Sequence, residues 1–404
     1  MNDIIFISLE NWDEMWRRNQ FLCAELARRH LESRILFVGL SRNLGQLLKA
    51  GRIGTLFKNV TCVLKEFPNI TVTRPLRVGI ERYEWGLQLN EWLYHRHVSS
   101  RTRGFSRPIL WINGHHAHYL ASRLHPSRVI YDITDDWTTS SQSELDRRRT
   151  IDADRILCAR ADEVIVCSQR LYKLKERMVQ RGRLHLVANG VDADHYARVG
   201  DRALPIAPEL EGIPHPIFGY TGTLHPDRLD VDMVESLARR ISTGTIVLVG
   251  PSCLGEAAVR RLQETGRVKL LPAVKYRRVP EFMRAFDVCI VPHVVTDFTE
   301  SLNPIKLWEY LAAGKPIVST PVAGFRDYPT LVHIASGVEA FANALSDALE
   351  ESPMIAEARR DEARKHSWKL RVDAVESILG NSTMERSRSS HKGKNPCSSD
   401  GVNV

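Results

Sequence analysis

Short apolar runs alternate with helix-period stretches along this chain, and the alternation starts afresh near its middle. This narrows the fold more than any other feature, because alternating strand and helix signals call for parallel sheets with crossover helices. In the first half Ile4–Ser8, Arg34–Val38, Ile70–Val72, Ile109–Ile112, Val129–Asp132, Glu163–Cys167 and Leu184–Val187 read as strands. Helical spacing marks Trp16–Arg29, Leu44–Ala50, Arg82–Val98, a stretch around His118–Leu124, Asp146–Arg160, and a helix capped by Ser168 that runs through Arg181. The second half predicts strands at Pro216–Tyr220, Thr245–Gly250, Val268–Leu271, Val288–Pro292 and Pro316–Thr320, with helices at Asp232–Arg240, Val279–Phe286, Gly337–Glu350 and Met354–Ile378. A length of 404 residues suits two domains. The Asn189-Gly190-Val191-Asp192 turn and the Pro- and acid-rich loop Pro205–Pro216 place the boundary, giving domains over 1–195 and 196–380. Beyond Asn381 apolar residues nearly vanish, which predicts a disordered tail over 381–404.

The composition, 43% hydrophobic and 26% charged, is that of a globular protein, and no run approaches the ~18 apolar residues of a membrane span. The start, MNDIIFISLENWDE, has no basic leader and reads as a first strand. The seven cysteines are scattered without CxxC pairs, so free thiols and a cytoplasmic setting are expected. The net charge of +8 calls for an anionic partner. Between Gly51 and Arg107 ten Lys and Arg stand against four acids, mixed with Trp85, Trp92, Tyr83, Tyr94, Phe57 and Phe67. That mixture suits an anionic membrane surface or a lipid phosphate, or else a solvated face over core aromatics. No nucleic-acid motif accompanies it.

The stretch Asn303–Ser319 carries the functional signal. Asn303-Pro304 opens a helix, Ile305, Leu307, Trp308, Leu311 and Ala312 give it a buried face, and Gly314 closes it. Lys306 and Glu309 are three apart and share a face near the helix start. Free N–H groups, a positive dipole end and a Lys suit a diphosphate, and Glu309 suits ribose hydroxyls. A surface ion pair fits the same spacing.

Resemblance separates the two. The segment resembles the donor-site helix of retaining GT-B glycosyltransferases (the family 4 and family 1-like group), whose E-x7-E pair ends in an acid that matches Glu309. The whole N-P-x-K-L-x-E-Y-L-A-A-G-K-P run is similar to that of some bacterial polysaccharide transferases. The first acid of the pair falls on Ser301, with Glu300 one residue early. Either a one-residue shift brings Glu300 to the sugar, or Ser301, Asn303 and Lys306 contact the sugar and phosphates. Asn189–Asp192 resembles the crossing point between the two GT-B domains. The implied fold is α/β, two Rossmann-like doubly wound domains facing a cleft, with the acceptor on the first, the donor on the second, and the last helix packed back on the first. The implied activity is transfer of a sugar from a nucleoside diphosphate sugar, with retention, to a lipid-linked glycan of surface polysaccharide synthesis. It needs no metal ion or other cofactor and is expected at the inner membrane face.

The same resemblance points to further residues. Gly222 lies in a Gly turn where the backbone approaches a phosphate. Thr223 stands where many members have Arg, and Arg228 is the cation nearest the family's Lys. Gly250 ends a strand at the carboxyl edge, and backbone groups near Val274 are expected at the base. Asp135 or Asp136 takes the place of a catalytic-site His, with a cap role as the other reading. The opening Trp12-Asp13-Glu14-Met15-Trp16-Arg17-Arg18 resembles a W-D-x-x-W-x-R start, and Arg17 and Arg18 either meet a phosphate or form a surface pair. His115-His116-Ala117-His118 lacks an acid or Cys partner, so metal is not expected. A nucleotide-sugar epimerase of the same fold and a degenerate GT-B assembly partner are the alternatives.

Overall fold

A computed structural model describes residues 1–49, 51, 61–79, 81–139 and 142–391. Ala50, Phe57 and the expected tail from residue 392 lie outside these. Two separate sheets stand where the two alternating halves are. The strands of the first half are β1 (Ile4–Ile7), β2 (Ile35–Val38), β3 (Arg42–Asn43), β4 (Cys62–Val63), β5 (Ile70–Thr73), β6 (Leu76–Arg77), β7 (Ile109–Ile112), β8 (Arg128–Ile133), β9 (Glu163–Val166) and β10 (Leu184–Leu186). Their main sheet runs β10-β9-β8-β7-β1-β2-β5-β4, parallel except for β4, and β3 pairs separately with β6. The second half holds β11 (Ile217–Thr221), β12 (Thr245–Val249), β13 (Val268–Leu271), β14 (Val288–Val291), β15 (Ile317–Ser319) and β16 (His333–Ile334). Their order is β13-β12-β11-β14-β15-β16, all parallel.

The central strands are apolar runs because both faces are covered: β1, β2, β7, β9, β12 and β14 are buried along their whole length. In each sheet the connections reverse direction once, between β1 and β7 and between β11 and β14. Open α/β sheets bind ligands at the carboxyl ends beside such a reversal.

The halves are tied by the chain's return. Phe21 and Leu22 of helix Arg18–Arg29 share a core with Phe6, Phe37 and Trp111 and with Trp368, Val372 and Val375 of the last helix, Trp368–His391. The Phe21 and Trp368 rings stack at 4.9 Å. The last helix thus packs on the first sheet. The single helix expected over Met354–Ile378 is instead two, Met354–Arg364 and Trp368–His391. Between them Ser367 bridges Val191, and a Cβ on Gly190 would sit 2.9 Å from the Trp368 nitrogen. The crossing strands of chain touch there, and the break lets them. The last helix also overlaps the start expected for the tail. The helix after Ser168 stops at Lys175 rather than Arg181, and helices Glu256–Glu264 and Asp297–Ser301 have no counterpart in the sequence reading.

Gly219 lies within β11, where a Cβ would fall 2.1 Å from the buried Phe286 ring. Gly219→Ala is expected to cost about 1–3 kcal/mol of stability through overpacking. Urea denaturation checks this, and an unchanged midpoint would mean that the ring turns aside without strain.

Candidate active site

The carboxyl ends of the two sheets face each other across a cavity of about 490 Å³. On the second-half side, β11 and β12 end in Gly222 and Gly250, with φ of +155° and +151°. A Cβ on Gly250 would fall 2.0 Å from the Gly222 oxygen, and one on Gly222 would fall 2.9 Å from Lys306 Cε. Only glycine fits either turn, and the Lys306 stem lies directly on the bare backbone. Helix Ile305–Ala313 follows Pro304 and ends at Gly314, φ +68°. Tyr310 pins it to the sheet, its hydroxyl accepting from Thr221 N–H at 2.9 Å.

On this helix Lys306 Nζ donates to Glu309 Oε2 at 2.8 Å, and the buried Tyr196 hydroxyl donates to Glu309 Oε1 at 2.7 Å. Glu309 is 4% exposed, so this is a cleft-wall ion pair and not a surface one. Deeper in, His293 meets the Tyr220 hydroxyl at 3.2 Å, and burial pushes its pKa down to about 3, with Arg228 and Lys306 adding to the effect.

The first-half side is acidic. Thr134 Oγ1 donates to Asp135, whose other oxygen lies 3.8 Å from Arg228 of the opposite wall. Burial raises the Asp135 pKa against the pull of Arg228. Arg228 also lies 5.5 Å over the Phe298 ring. Arg17 reaches Glu10 at 3.8 Å and Asp13 at 3.5 Å.

Arg17, Asp135, Gly222, Thr223, Arg228, Gly250, Val274, Asn303, Pro304, Lys306 and Glu309 all line this one cavity. Four other residues singled out from the sequence do something else. The Asp136 carboxylate accepts from Thr138 N–H and hydroxyl, so it closes its own turn. Glu300 is turned outward on helix Asp297–Ser301 and grips Arg326 with both oxygens. Glu300 is not among the residues that line the cavity. Ser301 is wholly buried between the halves: its hydroxyl donates to Phe298 O and accepts from Asp136 N–H, and Ser168 donates to its carbonyl. Arg18 touches the cavity, but its guanidinium is bound to Asp132 at 3.0 and 3.2 Å, to Val187 O and to Asn189 Oδ1. Of the two arginines, Arg17 keeps a charge toward the cleft. Asn303 lines the cavity while its amide oxygen accepts from Asn189 N–H at 2.8 Å.

Glu10, Asn19, Asn113, Tyr196, Tyr276 and His293 also line the cavity and were not found from the sequence. Each stands singly in its own segment. The signal that Glu10, Asn113 and His293 carried was their position just past the end of a strand.

Residues 215–351 match the family model described as Glycosyl transferases group 1. TuaH of Bacillus subtilis, named as a glycosyltransferase of teichuronic acid biosynthesis, is 27% identical over 258 residues, 60% of this chain. The chain spans 64% of that relative's length. Among solved structures, sucrose-phosphate synthase from Thermosynechococcus elongatus superposes with a TM-score of 0.71 at 14% identity, covering 95% of this chain and all of the other. HepE of Anabaena, solved with UDP and glucose, gives 0.68 at 16% identity over 94% of this chain and all of its own. The fold is therefore GT-B, and within its second half residues 215–351 are similar to the group 1 glycosyl transferase model.

Burial pushes His293 down to about 3 and His97 and His116 down to about 4. In the unfolded chain these imidazoles titrate near 6.5. The unfolded state therefore binds more protons below that pH, and folding stability is expected to fall as pH drops from ~6.5 toward 4. Denaturation midpoints across that range check the slope, and in NMR the His293 ring signals should stay those of a neutral imidazole down to pH 5.

Proposed function

We propose that this protein is a glycosyltransferase of polysaccharide biosynthesis that takes a sugar from a nucleoside diphosphate sugar. The Lys306–Glu309 pair at the start of helix Ile305–Ala313, laid on the bare backbone of Gly222, is the observation that carries the reading. The diphosphate lies against Gly222, Thr223 and Gly250, and Lys306 leaves Glu309 for the phosphate. Glu309 Oε2, freed from the Lys, then accepts from a ribose hydroxyl while Tyr196 holds Oε1. The base lies beside Val274. HepE was solved with UDP and glucose, which supports a uridine nucleotide as the first donor to try.

As the bond from the sugar to the diphosphate lengthens, negative charge grows on the leaving phosphate. Lys306, Arg228 and the helix N-terminus supply the opposing charge without a metal ion, an electrostatic contribution. Arg228 reaches the phosphate by leaving Asp135. The acceptor glycan, lipid-linked, approaches over the first half, and the sugar is transferred with retention. The match to TuaH supports polysaccharide as the product class. Glu300 and the Ser301 hydroxyl stand outside the cavity, which supports one second reading: a GT-B assembly partner without transfer activity. Turnover of UDP-glucose into UDP separates the two.

Glu309→Gln keeps the shape of the side chain and removes the charge. It is expected to weaken UDP binding by about 1.5–3 kcal/mol, the range for a hydrogen bond to a charged group. Lys306→Ala should weaken UDP far more than uridine, because it acts on phosphate charge. Calorimetry with both ligands decides: equal losses for UDP and uridine would take Lys306 off the phosphate, and unchanged UDP affinity in folded Glu309→Gln would take Glu309 off the ribose.

The enzyme works at the inner membrane face, held by its basic aromatic helix. Among the described residues no helix is long and apolar enough to cross a membrane. Helix Glu84–Arg101 carries Trp85 and Trp92 exposed, with Tyr83 just before it, while Tyr94 and Phe67 belong to the core. Arg96 lies 5.5 Å over Trp92. Arg101 is engaged with Thr61 and His97, so Arg96 and Arg103 are the arginines to test. Reversing both should release the protein from phosphatidylglycerol vesicles and leave UDP affinity unchanged. Wild-type binding should fade with salt as the Debye length shrinks from ~10 Å at 0.1 M to ~3 Å at 1 M. A protein that never sediments with vesicles at low salt has a soluble acceptor.

A further inference from the structure

The first-half wall of the cavity carries a set of oxygens that its own hydrogen bonds fix in place. Leu9 N–H donates to Asn113 Oδ1 at 3.2 Å, and Asn113 Nδ2 donates to the Asp132 carbonyl at 2.9 Å. A main-chain N–H can only donate and a carbonyl can only accept, so the Asn113 amide has one orientation. Asn19 Nδ2 must then be the group that meets Asn113 Oδ1 at 2.8 Å, and it also donates to Ser8 Oγ at 2.8 Å. The orientation of Asn19 follows, and its Oδ1 is the atom left over. It is buried and accepts no hydrogen bond among the described residues.

Ser8 Oγ also accepts from Glu10 N–H at 2.9 Å, which holds the Glu10 backbone beside this pair. Glu10 itself is half-buried, but its Oε2 is fully buried and likewise without a partner among the described residues. Burial pushes the Glu10 carboxyl up to about 7, with the charges of Asp135 and Asp13 adding and those of Arg17 and Arg228 opposing. A buried acceptor without a donor carries a desolvation penalty of about 1–3 kcal/mol. Two of them on one wall, with the Asp135 carboxylate beside them, form a surface complementary to O–H donors. A fully ionised diphosphate offers none. The wall stands where the connections of the first sheet reverse, at the ends of β1 and β7.

We propose that Glu10 Oε2, Asn19 Oδ1 and the Asp135 carboxylate form a subsite for the hydroxyl groups of an uncharged sugar, the acceptor end of the glycan. Glu10 is its specificity-determining residue. This rests on the glycosyltransferase reading for the word acceptor, but the binding chemistry stands apart from it. The diphosphate and the sugar hydroxyls then belong to opposite walls, one rich in cations and the other in acceptors.

Saturation-transfer NMR and calorimetry with methyl glucoside, galactoside and mannoside, with and without UDP, test the assignment. At least one glycoside is expected to bind wild type, Glu10→Ala and Asn19→Ala to weaken it at least tenfold, and both variants to keep wild-type UDP affinity. Glu10→Gln, which preserves the packing, should weaken it as well. Glycoside affinity unchanged in Glu10→Ala and Glu10→Gln overturns the subsite, and so does a wild type that binds none of the three. Failure of wild type to bind UDP counts against the donor reading alone, because the glycoside titration without UDP still reports on this wall.

Discussion

The buried pair of Arg18 and Asp132 ties the cleft together. Both side chains are shut away from water, so each charge requires the other. Removing either partner of such a pair leaves an uncompensated ion in a medium that solvates it poorly, which typically costs ~3–5 kcal/mol. Asp132 sits in β8, an interior strand of the first sheet, where Trp111 Nε1 also donates to it. Arg18 begins its helix and passes its remaining donors to Val187 O and Asn189 Oδ1. Asn189 in turn gives its N–H and its amide to Asn303, the residue before Pro304. A continuous polar path thus runs from the core of one sheet to the start of the helix bearing Lys306 and Glu309 in the other.

That path explains why position 301 holds a Ser. The segment Ser301–Asn303 is gripped from the first half by Asp136 N–H, Ser168 Oγ and Asn189. A carboxylate at 301 would have to sit, unpaired, in a fully buried slot, and a small hydroxyl meets the geometry at little desolvation cost. The feature in which this chain departs from the E-x7-E pattern is therefore a contact between the halves. It fixes the helix start relative to the first sheet, and with it the spacing between the two walls of the cavity. Arg228 and Asp135, one from each wall, meet across that spacing.

Where local periodicity decides, the sequence is a good guide. β1, β7 and β13 lie within a residue of the apolar runs that signal them, and Gly314 ends its helix in the left-handed conformation its position suggests. The Lys306–Glu309 juxtaposition is legible for the same reason, since three-residue spacing on a helix is a local fact. Tertiary partners are what the sequence conceals. Arg17 and Arg18 are adjacent, yet one faces the cleft and the other the core, because the helix begins between them. Glu300 finds Arg326, 26 positions on, and nothing in either segment announces it. The break at Ser367 has neither Gly nor Pro; it exists because two passages of chain cross at Gly190. Glu10 and Asn19 follow β1 while Asn113 follows β7, about a hundred positions on, and only the pairing of those two strands brings them side by side.

The two walls also differ in how they are held, and the difference follows from their chemistry. On the cationic wall Glu309 has both oxygens satisfied, by Tyr196 and Lys306, so its orientation is set before anything enters. Two donors, one of them charged, fix the carboxylate in place, and exchanging one donor for another leaves its orientation unchanged. On the acceptor-rich wall the scaffold satisfies every side-chain donor of Asn19 and Asn113 and leaves acceptors over. Such a wall gains most from a ligand that brings hydrogens. Preorganisation on one side and unmet acceptors on the other give the cavity a direction, and the Arg18 path keeps the two sides in register.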